Sequence, residues 1–152
     1  MRIFIAAVGR LRAGPEKDLY QHYATRLNWP VVMREVEDKR APAGPARRRR
    51  EADLLLATLA PDMTVVALDE GGRDLTSVAL AERLGRWRDD GRRDIAFIIG
   101  GADGLDRRVR DRADLVLSFG RLTWPHLLVR ALLAEQLYRA QQILAGHPYH
   151  RD

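Results

Sequence analysis

The stretch from Ile95 to Leu144 constrains the fold of this chain more than any other. It begins Ile95-Ala-Phe-Ile-Ile-Gly-Gly-Ala-Asp-Gly-Leu105, a short apolar run cut off by a glycine pair. Its β-branched and aromatic residues predict a buried strand, and the glycines predict a loop whose backbone must approach something closely. A short helix and strand follow, and then Leu122-Thr-Trp-Pro-His126 opens an apolar-rich segment that runs to Leu144 before Gly146 stops it. Proline suits the first helical turn, where its missing N–H is not needed. Two strand-end loops about twenty residues apart, one of them glycine-rich, form a natural ligand crevice in an α/β sheet.

The rest of the chain supplies the other elements. Arg2–Val8 reads as a buried first strand ended by Gly9, and Pro15–Arg26 as a helix with Leu19, Tyr23 and Leu27 on one face. Val31–Val36 is a second strand, and Lys39–Ala46, with two prolines and a glycine, has loop composition. Arg47, Arg48, Arg49 and Arg50 then lead into a helix ending near Leu59. Cations are disfavoured at that end of a helix dipole, so the run is either a solvated face or a contact for RNA phosphates. Thr64–Leu68 is a third strand, followed by a polar glycine loop over Asp69–Asp74. Thr76 or Ser77 caps the next helix, which lines up Leu80, Leu84 and Trp87 and closes at Asp90-Gly91. Ile95–Ile99 is the fourth strand; Asp106 caps a short arginine-rich helix before the fifth, Leu115–Ser118. This alternation predicts an α/β fold, a mostly parallel sheet with helices on both faces. Without a repeat or a linker, residues 1–152 read as one domain.

The last helix lacks a wide polar face. Leu128, Ala131 and Leu132 lie on one side, and Leu133, Leu137 and Leu144 on the other. A helix apolar on both sides must bury both, one against its own sheet and the other against a second subunit, most simply in a twofold homodimer. Glu135 and Arg139, four apart with the acid first, form a helix-surface pair. An apolar content of 46% excludes a mainly disordered chain, and no apolar run approaches a membrane span. The absence of cysteine removes disulfides and thiolate metal sites, and four histidines make a multi-histidine metal site improbable, so no metal and a cytoplasmic location are expected. The net charge of +5, carried almost wholly by arginine, favours a polyanion partner.

Taken singly, the motifs are weak. Gly100-Gly-Ala-Asp-Gly104 is spaced GGxxG rather than GxGxxG, with no acidic residue after the next strand and no GK[S/T]. Alone it is an ordinary strand-to-helix turn more often than a dinucleotide loop. His126 follows the proline, with Arg130 one turn later on the same face; a structural histidine and a site histidine are equally open. His147-Pro-Tyr-His-Arg151 gathers imidazole, aromatic and guanidinium groups, the kinds that hold splayed-out bases. No nucleophile elbow supports serine hydrolysis.

Together they are specific. Phe97-Ile-Ile-Gly-Gly-Ala-Asp-Gly-Leu105, Leu122-Thr-Trp-Pro-His126, Leu128-Val-Arg130, Ala134-Glu-Gln-Leu-Tyr-Arg-Ala140 and His147-Pro-Tyr-His-Arg151 stand in order at consistent spacing. The combination resembles the bacterial family of ribosomal large-subunit pseudouridine N3-methyltransferases, in the SPOUT (α/β-knot) superfamily. The likeness covers essentially the whole chain, including Ile3-Phe-Ile-Ala-Ala-Val-Gly9 and Ala67-Leu-Asp69. Departures are local: Ala102-Asp103 stands where relatives often have Pro-Glu, and the 47–50 arginine run is long.

The resemblance implies a C-terminal trefoil knot holding S-adenosylmethionine, contacted by Leu68, Gly100 and the loop Phe119, Gly120, Arg121, Leu122, Thr123 and Trp124. It implies a homodimer in which the second subunit's Tyr149, His150 and Arg151 help complete each site. The implied substrate is a pseudouridine in the helix 69 loop of 23S rRNA within the assembled 70S ribosome. Pseudouridine N3 carries an imide proton and is a poor nucleophile until that proton leaves. Donors near O2 and O4 would stabilise the resulting charge, and His126 or His150 would take the proton. His150 and Arg151 are assigned to base contact and anion stabilisation, His126 and Arg130 to ordering the cofactor loop and the dimer interface. A non-catalytic ribosome-associated RNA-binding module is the alternative; a nicotinamide enzyme has only the glycine loop in its favour.

Overall fold

The structure, a computed structural model, describes residues 1–151. The β-branched and aromatic runs form five strands: β1 (Arg2–Val8), β2 (Val31–Val36), β3 (Thr64–Asp74), β4 (Asp94–Ile99) and β5 (Leu115–Ser118). All pair in parallel, in the order β2-β1-β4-β3-β5. Between and after them come α1 (Pro15–Ala24), α2 (Pro45–Leu56), α3 (Ser77–Asp89), α4 (Arg107–Arg112) and α5 (His126–Leu144). Parallel strands need crossovers, and these cover both faces of the sheet.

The strand period of two sorts the core into two halves. Ile3, Ile5 and Ala7 of β1 face one way, where Leu80, Leu84 and Trp87 of α3 and Leu133 and Leu137 of α5 meet them. Phe4, Ala6 and Val8 face the other, against Ala52 and Leu55 of α2 and Val109 of α4. The expected α/β sheet covered on both faces is therefore present. All five strands end at one edge, and β4, β3 and β5 put three consecutive strand-end loops there. Among the described residues no helix is long and apolar enough to cross a membrane.

Local signals set most of the helix ends. The Thr76 hydroxyl accepts from the Ala79 amide at 3.1 Å, and the Asp106 carboxylate accepts from the Arg108 amide at 3.0 Å. Pro125 is the N-cap of α5 rather than part of its first turn; its carbonyl accepts from the amides of Leu128 and Val129. On α1 the expected face is misplaced. Leu19 is 40% exposed, while Tyr20 and Leu27 pack on the core and Tyr23 stacks near Tyr138 of α5. Helix α1 rests on α5 and buries no residue fully, so its weak apolar pattern left the phase undetermined.

The larger difference lies in β3. The polar segment Asp69–Asp74, expected as a loop, bulges and then resumes pairing, with Arg73 opposite Leu117 and Asp74 opposite Ser118. Gly72 makes this return possible. A Cβ there would lie 2.7 Å from the Val116 carbonyl carbon and oxygen. Backbone cannot swing aside as a side-chain tip would, so Gly72→Ala should cost about 1–3 kcal/mol. The check is the urea midpoint; an alanine variant as stable as the parent would show that β5 is not so closely approached.

Candidate active site

The three loops surround a cleft of about 880 Å³ at the carboxyl edge of the sheet, the usual ligand position in such folds. Leu68 and Asp69 come from β3, the Gly100–Gly104 loop from β4, and Phe119–Pro125 from β5. The start of α5 adds His126 and Val129, and α2 and α4 add Arg48, Arg107 and Arg110 at the border. Of the eight expected cofactor residues, Leu68, Gly100, Phe119, Gly120, Leu122, Thr123 and Trp124 line the cleft. Arg121 belongs to the same loop, is exposed, and is not part of the lining.

Loop geometry is fixed by short bonds. The Gly120 amide donates to the Ser118 hydroxyl at 3.0 Å, and the Trp124 indole donates to the Phe119 carbonyl at 3.3 Å. Leu122 is nonetheless 73% exposed and Trp124 40%. The glycine loop closes on itself, the Gly104 amide donating to the Gly101 carbonyl at 3.0 Å. A Cβ on Gly100 would meet Leu105 at 3.0 Å and the Gly104 carbonyl at 3.1 Å, so glycine keeps this wall of the cleft in place.

His126 borders the cleft half-buried. Burial first, and the Arg130 charge second, lower its pKa, leaving a neutral ring able to accept a proton. Arg130 lies wholly inside. It donates to Glu35 at 2.8 Å and to the carbonyls of Val8 and Gly9 at 2.8 and 2.7 Å, tying α5 to the ends of β1 and β2. Glu51 of α2 is also buried; one of its oxygens lacks a hydrogen-bond partner, and it underlies Gly101. Burial, and then Asp103, raise its pKa. The burial of neither is visible in sequence: Glu51 falls in a helix that opens with a run of charges, and Arg130, singled out beside His126, carries no local sign that it faces the ends of β1 and β2. Asp69, directly after Leu68, had a signal in its position at a strand end.

The C-terminal residues lie elsewhere. The Tyr149 hydroxyl donates to Glu135 at 3.1 Å, its ring meets Tyr138 edge-on, and Arg139 bonds His150 at 3.2 Å. Burial, with Tyr23 and Glu135 beside it, pushes the Tyr149 pKa up to about 12, so this phenol is a donor and not a base. Arg139 also pairs with Glu135, as the spacing on α5 predicted. Glu135 and Arg139 line a second hollow of about 690 Å³ that shares Phe119, Gly120 and Trp124 with the cleft. The tail thus folds on the chain's own α5, and neither Tyr149 nor His150 lines the cleft. Arg151 is exposed.

The arginines at 47–50 divide. Arg47 bonds the Ala41 carbonyl and faces Asp103 at 4.0 Å, and Arg50 pairs with Asp38 at 2.8 Å. Arg48 borders the cleft and Arg49 is exposed. Among the described residues no group of His, Cys, Asp and Glu is placed to hold a metal ion.

Comparison with known proteins gives a consistent picture. A family model described as a predicted SPOUT methyltransferase matches residues 1–150. Proteins called ribosomal RNA large subunit methyltransferase H are similar over 99% of this chain and 99% of their own, at 64% identity in Paramagnetospirillum magneticum and 61% in Rhodospirillum centenum. Among solved structures, a probable methylase family protein from Haemophilus influenzae aligns with a TM-score of 0.57 at 10% identity, over 99% of this chain and 70% of its own. The SpoU methyltransferase AviRb from Streptomyces viridochromogenes, solved with AdoMet, aligns with a TM-score of 0.50 at 13% identity, over 93% and 58%. At such identities the structures speak for the fold alone.

Proposed function

The chain belongs to the SPOUT methyltransferase family, and from that premise we propose that it methylates 23S rRNA with S-adenosylmethionine, at N3 of a pseudouridine in the helix 69 loop within the assembled 70S ribosome. The observation that carries this reading is the cleft, where seven of the eight residues assigned to the cofactor from sequence converge. Support for an rRNA substrate comes from the names of relatives that match end to end at above 60% identity.

The cleft residues fit such a cofactor. Leu68, Ile99, Leu117 and Val129 offer apolar wall for the adenine and the methionine chain, while Asp69 and Glu70 suit ribose hydroxyls or the ammonium group. When bound, S-adenosylmethionine supplies an electrophilic methyl group on a sulfonium. The protein's part is to hold N3 in line with that methyl and to remove the imide proton. His150 and Arg151 are assigned to base contact and to the charge that develops on the flanking carbonyls, Tyr149 helps complete the site, and His150 is one acceptor for the proton. His126, neutral at the cleft wall, is the other acceptor within reach of the cofactor loop.

Since the tail sits outside its own cleft, these roles require a partner subunit. The homodimer reading rests on Leu128 and Leu132 of α5, only half-buried in one subunit, and on exposed Leu122 and Trp124 beside them in sequence. A single domain, 1–152, and a cytoplasmic location accord with an enzyme acting on ribosomes. The C-terminal trefoil knot is part of the same reading. Strand β4 lies between β1 and β3, and α5 returns after β5 to the α1 and α3 face, which is compatible with such threading.

The test is methyl transfer from labelled S-adenosylmethionine to ribosomes of cells lacking this gene, with the label located by RNA digestion. Label on a large-subunit pseudouridine is expected. Ribosome binding without label would favour the non-catalytic RNA-binding module instead.

A further inference from the structure

The loop between β1 and α1, residues 9–14, carries Gly9-Arg10-Leu11-Arg12-Ala13-Gly14. Its base is held with unusual firmness for a surface turn. The Gly9 amide donates to the Val36 carbonyl at 2.8 Å, and the Leu11 amide donates to Glu35 at 2.5 Å. The guanidinium of Arg130 reaches the same Glu35 and the carbonyls of Val8 and Gly9 from beneath. Gly9 adopts φ 88°, so the chain turns away from the sheet in the left-handed region. A Cβ on Gly9 would lie 3.4 Å from His126 Nε2, which places this turn against the cleft wall.

A fully buried arginine is costly unless its bonds are made. Here the two terminal nitrogens of the guanidinium fix one loop, while Nε is buried without a partner, and that loop presents two exposed arginines. Neither Arg10 nor Arg12 has a carboxylate within ion-pair distance among the described residues; Glu35 is bonded by Arg130 and Leu11, and the Arg10 charge acts on it only from beyond that distance. By contrast, half of the arginine run on α2 is neutralised within the protein, by Asp103 and Asp38.

We propose that the β1–α1 loop is an RNA-phosphate grip of this enzyme, with Arg10 and Arg12 as phosphate contacts and Arg130 and Glu35 as positioning residues that hold the loop beside His126. This rests on the rRNA reading above and adds to it a docking surface on the β1 side of the cleft. Rigid placement matters because a phosphate contact fixes the register of a nucleic acid and lets the reacting base meet the cleft.

The test is the charge-reversed pair Arg10→Glu/Arg12→Glu, set against Arg86→Glu/Arg93→Glu. The control makes the same charge change on exposed residues at the opposite edge of the sheet, in the last turn of α3 and just before β4. Ribosome affinity by cosedimentation, kcat and KM for methyl transfer, and calorimetric S-adenosylmethionine affinity are measured for each. The loop variant should raise the ribosome KM and dissociation constant on the order of tenfold or more and lower the salt slope by about 1–2. Its affinity for S-adenosylmethionine should stay at the parent value, and the control should stay within about twofold of the parent throughout. A loop variant with unchanged ribosome affinity and salt slope overturns the proposal, as does a control equally impaired, since then net charge alone matters. If the parent binds ribosomes but transfers no label, the enzymatic reading falls while cosedimentation still decides the loop; if it does not bind them, both fall.

Discussion

Replacing Arg130 by methionine should destabilise the protein by about 3–5 kcal/mol, a large part of the stability of a domain of this size. The side chain is completely buried, and its removal takes a donor from three acceptors at once: the carbonyls of Val8 and Gly9, and Glu35, which keeps only the Leu11 amide. Methionine fills much of the space but offers no donor. Lysine should recover only part of the loss, because one ammonium cannot span both carbonyls and the carboxylate as the planar fork does. The double variant Arg130→Met/Glu35→Leu should be less destabilised than Arg130→Met alone, since the stranded charge is gone. Urea midpoints of the parent, Arg130→Met, Glu35→Leu and the double variant make the cycle; an Arg130→Met variant within about 1 kcal/mol of the parent would refute the clasp.

The same cluster sets a pH dependence. Burial by itself would raise the Glu35 pKa, but the Leu11 amide and the Arg130 guanidinium outweigh it and hold the carboxyl below its ordinary value. A carboxylate depressed in the folded state stabilises fully above its unfolded pKa, about 4.3, and the contribution is lost as pH falls through the folded value. The advantage of the parent over Glu35→Gln should therefore be constant near neutrality and shrink on acidification below that point. An advantage that persists in acid would mean that the shift has another source.

Arg130 also shows where sequence runs out. An arginine in a helix reads as a solvated residue, and nothing local says that its turn faces the ends of β1 and β2. Glu51 is hidden for the same reason. Signals that depend on neighbours in the chain were legible: the Thr76 and Asp106 caps, the β4 run into Gly100, and the proline that opens α5. The cleft was legible because its wall is built from strand ends, and a parallel sheet brings those ends together whatever the loop sequences are. What failed was tertiary. Gly72 lets β3 return to β5 through a backbone approach that no period announces, and α1 turned Leu19 outward because α5, not the sheet, chose its face. Arg47 and Arg50 looked like free cations until the fold brought Asp103 and Asp38 to them.

The tail gives the largest expected effect on activity. His150→Ala/Arg151→Ala should lower turnover by about 10²–10⁴-fold and leave S-adenosylmethionine affinity near that of the parent. Loss of both together would end the division between a cofactor cleft and a base-contacting tail. Arrangement is then tested by mixing. Tyr149 and His150 are held by Glu135 and Arg139 and do not line their own cleft, so the proposed reading has the tail act on the cleft of a partner. A tail variant mixed with a folded, cleft-blocked variant such as Gly100→Val should regain activity, because the mixed dimer pairs one intact cleft with one intact tail. Random exchange predicts about a quarter of the parent rate. If both variants are dimeric and their mixture stays inactive, the tail serves its own subunit. His150 would then have to leave Arg139 and cross the Trp124 loop to reach the reacting base, a rearrangement that the bonds on α5 oppose.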